Sequence, residues 1–230
     1  MIEPDFLRAT RTFYSTVATD YADRYRNVLK DRPFDRALLT GFAETVLAAD
    51  LGPTAELGCG PGEVTAHLHA LGLPVFGVDL SPEMVALARR DHPEVRYEVG
   101  SMTDLDLPDG ALGAIVAWYS VIHTPQDRLP ALFAEFQRLL APGGELLVAF
   151  QVGDEPLRVA EPFGHPVSLD FHRLRPDHIA ELLRGAGLAP HTRAVREGEP
   201  ALLESTPQAY LMARKPAEGT GNTGNTAGLA

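Results

Sequence analysis

Three glycines at alternate positions, Gly58, Gly60 and Gly62, stand in the stretch AELGCGPGEV over 55–64, with Glu56 just ahead of them. Glycine permits positive φ and carries no Cβ, so a turn built this way lets a ligand lie against the main chain. Asp79 closes the next apolar run, PVFGVDL. A carboxylate there can accept hydrogen bonds from both hydroxyls of a ribose. It can also help to start the following helix, although Ser81 and Pro82 already supply an N-cap and a first helical residue. The glycine spacing is one residue short of the dinucleotide G-x-G-x-x-G pattern. Residues 51–88 contain neither lysine nor arginine. Main-chain amides at a helix start can hold a phosphate unaided, but an acid beside the loop suits a cationic ligand better. S-adenosylmethionine joins an adenosine to a sulfonium and an ammonium, and answers both halves of that description.

A second set of reactive side chains lies in AWYSVIHTP. His123 has the ordinary pKa of a general base and Tyr119 could steer a nucleophile, so these two are the candidate catalytic residues. Trp118 can line an aromatic wall. His123 can equally cap a turn or pack in the core. His165, His172 and Arg173 sit in or just after a Pro- and Gly-containing excursion over 153–167, and such insertions often roof a substrate site. Cys59 reads as a small filler, because no base is visibly paired with it. Neither a His-x-x-x-His helix nor a carboxylate cluster suggests a metal.

The elements that must position these residues alternate in type. Helical patterns cover about 5–29 and 35–49. Strands are expected at 54–57, 74–80, 94–99, 111–120 and 145–152, with helices at about 62–71, 82–90 and 125–141, the last stopped by Pro142 and two glycines. SLDFHRL and a helix near 176–185 follow, then a closing hairpin from 188–196 and 206–214. Strands and helices taking turns predict an α/β fold with a mostly parallel sheet covered on both faces and an antiparallel hairpin at one edge. In such a sheet, ligands settle outside the carboxyl ends of the strands.

Taken together, AELGCGPGEV, VFGVDLSPEMVALAR, LLAPGGELLVAF and the terminal hairpin resemble the class I S-adenosylmethionine-dependent methyltransferases in order along roughly residues 10–215. AWYSVIHTP and SLDFHRL are similar to small bacterial members of unassigned or small-molecule substrate. The resemblance implies a Rossmann-like, doubly wound seven-stranded sheet with N-terminal helices over the cofactor site. It implies a helical cap at 1–50 and a methyltransferase domain at 51–215, while the Gly/Thr/Asn-rich composition of PAEGTGNTGNTAGLA predicts a disordered tail at 216–230. It places Glu56 and Gly58 near the methionine part of S-adenosylmethionine, Gly60 and Gly62 beneath it, Asp79 on the ribose, and Leu80 and Met84 beside the adenine. Ser101 stands where an acid facing the adenine amino group is usual, followed by Met102. Tyr14 falls in the covering helix, either with its hydroxyl near the methionine carboxylate or as a packing residue.

The chain of 230 residues carries 31 acidic against 20 basic side chains, a formal charge of −11. That balance opposes nucleic acid and anionic membrane as partners, since a basic stripe supplies most such affinity. No apolar run is long enough to span a bilayer, and the first residues lack the apolar centre of a secretory signal. With Cys59 as its only cysteine, the chain is expected in the cytoplasm. The leading expectation is methyl transfer to O, N or C of a small molecule. Two others remain: an S-adenosylmethionine-binding scaffold or regulator that transfers nothing, and a nicotinamide-dependent oxidoreductase. Oligomeric state is not legible.

Overall fold

A computed structural model describes residues 3–202 and 204–217. Its centre is a seven-stranded sheet in the order β3-β2-β1-β4-β5-β9-β8. The strands are β1 (Thr54–Leu57), β2 (Val75–Asp79), β3 (Arg96–Val99), β4 (Leu112–Trp118), β5 (Leu140–Gln151), β8 (Ala189–Arg196) and β9 (Gln208–Arg214). The first five pair in parallel, and β9 runs antiparallel between β5 and β8. Helices α1 (Asp5–Tyr25), α2 (Pro33–Ala48), α3 (Glu63–Ala70), α4 (Pro82–Asp91), α5 (Leu129–Leu139) and α6 (Pro176–Gly185) complete the alternation. The expected doubly wound α/β architecture is the observed one. No helix among the described residues is long and apolar enough to cross a membrane.

The central strands are apolar on both faces because each face has its own core. Ile115 and Ala117 of β4 and Leu146, Val148 and Phe150 of β5 join the side of α5 and α6. Ala114 and Val116 of β4 and Leu147 of β5 join the side of α2 and α3. Period-two alternation is therefore present, with apolar residues in both phases. Helix α5 shows the complementary pattern, burying Leu129, Leu132, Phe133, Phe136 and Leu139 along one stripe.

Three boundaries differ from the sequence expectation. Helix α1 stops at Tyr25, four residues early, because Asn27 takes a left-handed φ of 57° before a short 3-10 turn over 28–31. Helix α5 stops at Leu139 ahead of Pro142, and β5 starts at once at Leu140, which pairs with Leu112. Lys215 Nζ donates to Gln137 O and Leu140 O at 2.8 and 2.7 Å, satisfying carbonyls that the helix leaves open. The excursion after β5 is not irregular. It contains a hairpin of β6 (Leu157–Ala160) and β7 (Ser168–Phe171), whose Leu169 packs with Phe13 and Val17 of α1. The last part of the expected tail, residues 218–230, lies outside the described residues.

Strand order reverses between β1 and β4, whose carboxyl ends are Leu57 and Trp118, so a crevice opens there. The close approach of the chain at the opposite end of β4 depends on Gly113, where an added Cβ would lie 1.9 Å from Leu51 O. Gly113→Ala should lower stability by about 3 kcal/mol. Gly41, exposed within α2 with nothing within 4 Å of a Cβ, is the contrast: Gly41→Ala should raise stability by about 0.5–1 kcal/mol. Equilibrium denaturant unfolding of the two variants checks both signs.

Candidate active site

The crevice begins with the glycine turn between β1 and α3. Gly58 and Cys59 donate to Val78 O at 2.8 and 3.0 Å, which carries the turn along the end of β2. Asp79 then fixes its apex. Its Oδ2 accepts from Gly60 N–H at 2.7 Å and its Oδ1 from Ser81 N–H at 2.8 Å. Each glycine is needed for a different reason. All three have positive φ. A Cβ at Gly58 would lie 2.4 Å from Ser120 Cβ, and one at Gly62 would lie 2.6 Å from Tyr97 Oη, whereas nothing lies within 4 Å at Gly60. Gly58 thus admits the chain after β4, Gly62 admits a packing tyrosine, and Gly60 leaves open space above the turn.

Glu56 lies buried beneath this turn, with Thr65 Oγ1 donating to its Oε2. Burial raises its pKa to about 8, against the opposing Thr65 bond and with help from the charge of Asp79. Burial also raises Asp79, opposed by the main-chain donors of Ser81 and Gly60. Two carboxyl groups so placed would be eased by a positive charge in the crevice.

Helix α1 forms the roof. Ser15 Oγ and Ser81 Oγ are 3.0 Å apart, and Tyr14 Oη and His123 Nε2 are 2.8 Å apart. The ring of His123 meets Tyr14 and Phe171 edge-on at centroid distances of 5.1 and 4.7 Å. Burial, followed by the nearby charge of His172, lowers the His123 pKa to about 3, so its imidazole is neutral. Tyr14 is held protonated, its pKa raised by burial. Tyr119 turns back at the end of β4 with φ of 55°, a conformation costly for a residue with a Cβ. Its hydroxyl lies 3.2 Å from that of Tyr210.

Two connected spaces result. The first is lined by Tyr14, Gly58, Gly60, Asp79, Leu80, Ser101, Met102, Trp118, Tyr119 and His123, among others. The second shares its Tyr14, Gly58, Gly60, Trp118 and Tyr119 walls and adds Glu56, Phe171 and Arg173. The structure therefore gathers most of the residues singled out in the sequence, although segments from five parts of the chain must meet. Four stand elsewhere. Met84 is fully buried and turns into the core, its N–H bonded to the Ser81 cap, so it does not flank the crevice. His165 bonds to Asp20 at 2.8 Å as a strut between α1 and the hairpin. His172, whose N–H donates to Ile122 O, lines neither space. Gly62 serves Tyr97 rather than the crevice.

Sequence reasoning missed the far wall of the second space. Asp35, 1% exposed, accepts from Tyr210 Oη at 2.7 Å, and Arg196 Nε donates to the same hydroxyl at 3.0 Å. Glu204 binds Arg196 and Arg32. Burial pushes Glu204 upward, but these two guanidinium groups outweigh it and hold the carboxyl near 2. Asp35 read as a first-turn helix acid and Tyr210 as a strand residue, and nothing local linked them across 175 positions.

Residues 55–144 match the family described as Methyltransferase domain. An uncharacterized methyltransferase of Mycobacterium tuberculosis is 31% identical over 123 residues, covering 52% of this chain and 48% of its own. A ubiquinone biosynthesis O-methyltransferase of Xanthomonas axonopodis pv. citri is 32% identical over 149 residues, covering 58% and 61%. The chain thus spans about half the length of the mycobacterial relative and somewhat more of the second. Among solved structures, DhpI in complex with S-adenosylhomocysteine superposes with a TM-score of 0.70 at 22% identity, covering 94% of this chain and 100% of that one. The 1,6-didemethyltoxoflavin-N1-methyltransferase of Burkholderia thailandensis does so with 0.65 at 22% identity, covering 94% and 92%. These two share the fold. Residues 55–144 thus match a methyltransferase domain, and the glycine turn, the Asp79 clamp and the sheet order are the structural features that lie within and around that match.

Proposed function

We propose that the protein binds S-adenosylmethionine at the glycine turn and transfers its methyl group to O, N or C of a small molecule held in the adjoining space. The observation that carries this reading is the crevice over Gly60, walled by the Asp79 carboxylate and opening into a second, aromatic-lined space. Buried polar atoms support it. Ser120 Oγ, His123 Nδ1 and Thr124 Oγ1 have no hydrogen-bond partner among the described residues, and all three residues line the first space. Such groups cost about 1–3 kcal/mol each unless something satisfies them.

The fit to the cofactor is residue by residue. Each Asp79 oxygen accepts one main-chain bond, and a carboxylate has about four lone-pair sites, which leaves capacity for ribose hydroxyls. Leu80, Ser101 and Met102 supply the wall for an adenine. Glu56 and Tyr14 mark the methionine end. When bound, S-adenosylmethionine supplies a methyl group already activated on sulfonium sulfur. The chain then has to hold an acceptor in line and exclude water. Tyr119, fixed by Tyr210, orients the acceptor, and the α1 roof keeps the space dry. His123, neutral and engaged by Tyr14, acts as a positioning partner for the roof and not as the general base first expected of it. The acidic balance and the absence of an Asn/Asp-Pro-Pro-aromatic element after β4, where AWYS stands, argue for a small molecule over nucleic acid. The single cysteine suits a reducing compartment such as the cytoplasm, and residues 1–50 read as the cap on a domain of 51–215.

Calorimetric titration with S-adenosylmethionine, S-adenosylhomocysteine and a nicotinamide dinucleotide tests the reading: the first two should bind and the third should not. Tight binding of the nicotinamide dinucleotide alone would overturn it. Asp79→Ala should weaken S-adenosylhomocysteine binding by about 10- to 150-fold while circular dichroism stays unchanged. His123→Ala should lower kcat by less than about tenfold, and the wild-type pH–rate profile should lack a limb at the ordinary histidine pKa. Glu56 gives the pH dependence its sign. Its pKa of about 8 in the free protein falls when an ammonium approaches, so binding releases a proton. Affinity for S-adenosylhomocysteine should therefore rise from about pH 6 to pH 8 and level off above, and Glu56→Gln should flatten the rise.

A further inference from the structure

Three more buried polar atoms without a hydrogen-bond partner among the described residues are Asp35 Oδ2, Gln151 Oε1 and Arg173 Nε. They come from α2, the end of β5 and the segment after β7, yet all three residues line the second space. The nearest cation to Asp35 Oδ2 is Arg32, at 3.8 Å. The placement of the other two is built into the backbone. Leu174 N–H donates to Gln151 O at 2.9 Å, and Val152 bridges to Leu174, which ties the ends of β5 and β7 side by side. A Cβ at Gly153 would lie 2.9 Å from Arg173 Cδ, so glycine there leaves room for the arginine to cross.

The chemistry of the wall is asymmetric. Arg32 and Arg196 are spoken for by Glu204 and Asp35. Arg173 forms no ion pair among the described residues, and its one side-chain bond is from Nη2 to Ser205 Oγ at 3.2 Å. It is thus a cation waiting for an anion, whereas Asp35 Oδ2 and Gln151 Oε1 are acceptors waiting for a donor. The same space is lined by four aromatic side chains, Trp118, Tyr119, Tyr21 and Phe171.

We propose that this space is the acceptor subsite and that it takes a small aromatic acid bearing a ring hydroxyl, with the carboxylate on Arg173 and the hydroxyl donating to Asp35 or Gln151. The proposal rests on the methyltransferase reading and narrows its substrate. A charge-assisted contact to guanidinium sets the orientation, the aromatic walls reward a planar ring, and a ligand lacking the hydroxyl leaves buried acceptors unpaired.

The test uses the full chain saturated with S-adenosylhomocysteine and titrated calorimetrically with protocatechuate, catechol and benzoate. Trp118, the single tryptophan of the chain, reports occupancy of this space by fluorescence. Protocatechuate should bind tightest of the three and change Trp118 emission. Arg173→Met should weaken protocatechuate by about tenfold or more and leave catechol within about twofold. Asp35→Asn should weaken protocatechuate and catechol but not benzoate. Gln151→Leu, at a site outside the buried charge network, provides the same comparison if the Asp35 variant fails to fold. S-adenosylhomocysteine affinity should stay within about twofold throughout. Absence of saturable protocatechuate binding at millimolar concentration, or an Arg173→Met variant that binds it as well as wild type does, overturns the acceptor assignment and leaves the methyltransferase reading intact. Wild-type protein that fails to bind S-adenosylhomocysteine overturns both.

Discussion

The pair of main-chain bonds that Asp79 accepts holds the site together. A turn of glycines has little of its own to define it: no side chains to pack and more conformational freedom to lose than any other sequence. One carboxylate from the neighbouring strand removes that freedom at the apex, and hydrogen bonds to a charged acceptor contribute roughly 1.5–3 kcal/mol each. The same carboxylate takes the Ser81 N–H, so the glycine turn and the start of α4 share one anchor. Ser81 in turn caps Met84 and meets Ser15 of the roof. Displacing Asp79 would loosen the floor of the crevice, the first turn of α4 and one of the ties to α1 together.

The roof is attached differently. Phe13 and Val17 pack on Leu169, Ala18 and Ala22 are buried as well, and polar contacts are added to this footing: Ser15 to Ser81, Tyr14 to His123 and Asp20 to His165. Each joins residues far apart in sequence. The two buried cores on either side of the sheet are by contrast continuous and wholly apolar.

The division between what the sequence disclosed and what it withheld follows from the range of the interactions. Sheet, helices and the glycine turn are written in local periodicity and in glycine and proline placement, and they were legible. So was the Ser81 cap, where serine precedes proline at a helix start. Boundaries failed where a distant group intervened. The amine of Lys215, on the chain just after β9, satisfies the end of α5, so Pro142 is not needed to stop it and β5 begins early. The family resemblance places Met84 beside the adenine. Its position in the first turn of α4, behind a side-chain cap, points it inward instead. Asp35, Tyr210 and Arg196 were invisible because their meaning lies in one another: an acid in α2, a tyrosine in β9 and an arginine in β8 become a network only after the sheet has closed.

Buried acids at the two ends of the site show how environment sets the behaviour of a carboxyl group. Glu56, with one hydroxyl donor and no cation beside it, is neutral over much of the physiological range, its pKa near 8. Glu204, less deeply buried and clasped by Arg32 and Arg196, is ionised at every pH at which the fold is expected to persist. The two acids act on stability in opposite directions of pH. Ionising Glu56 costs the folded chain more than the unfolded one, so that contribution is lost as pH rises from 4.5, its ordinary value, to about 8. Glu204 stabilises above its ordinary value and loses that contribution only as pH falls toward 2. The end of the cleft at the glycine turn thus responds to an arriving positive charge, and the far end keeps its charges fixed whatever arrives. That contrast comes from which residues lie next to each acid: a hydroxyl alone beside Glu56, two guanidinium groups beside Glu204.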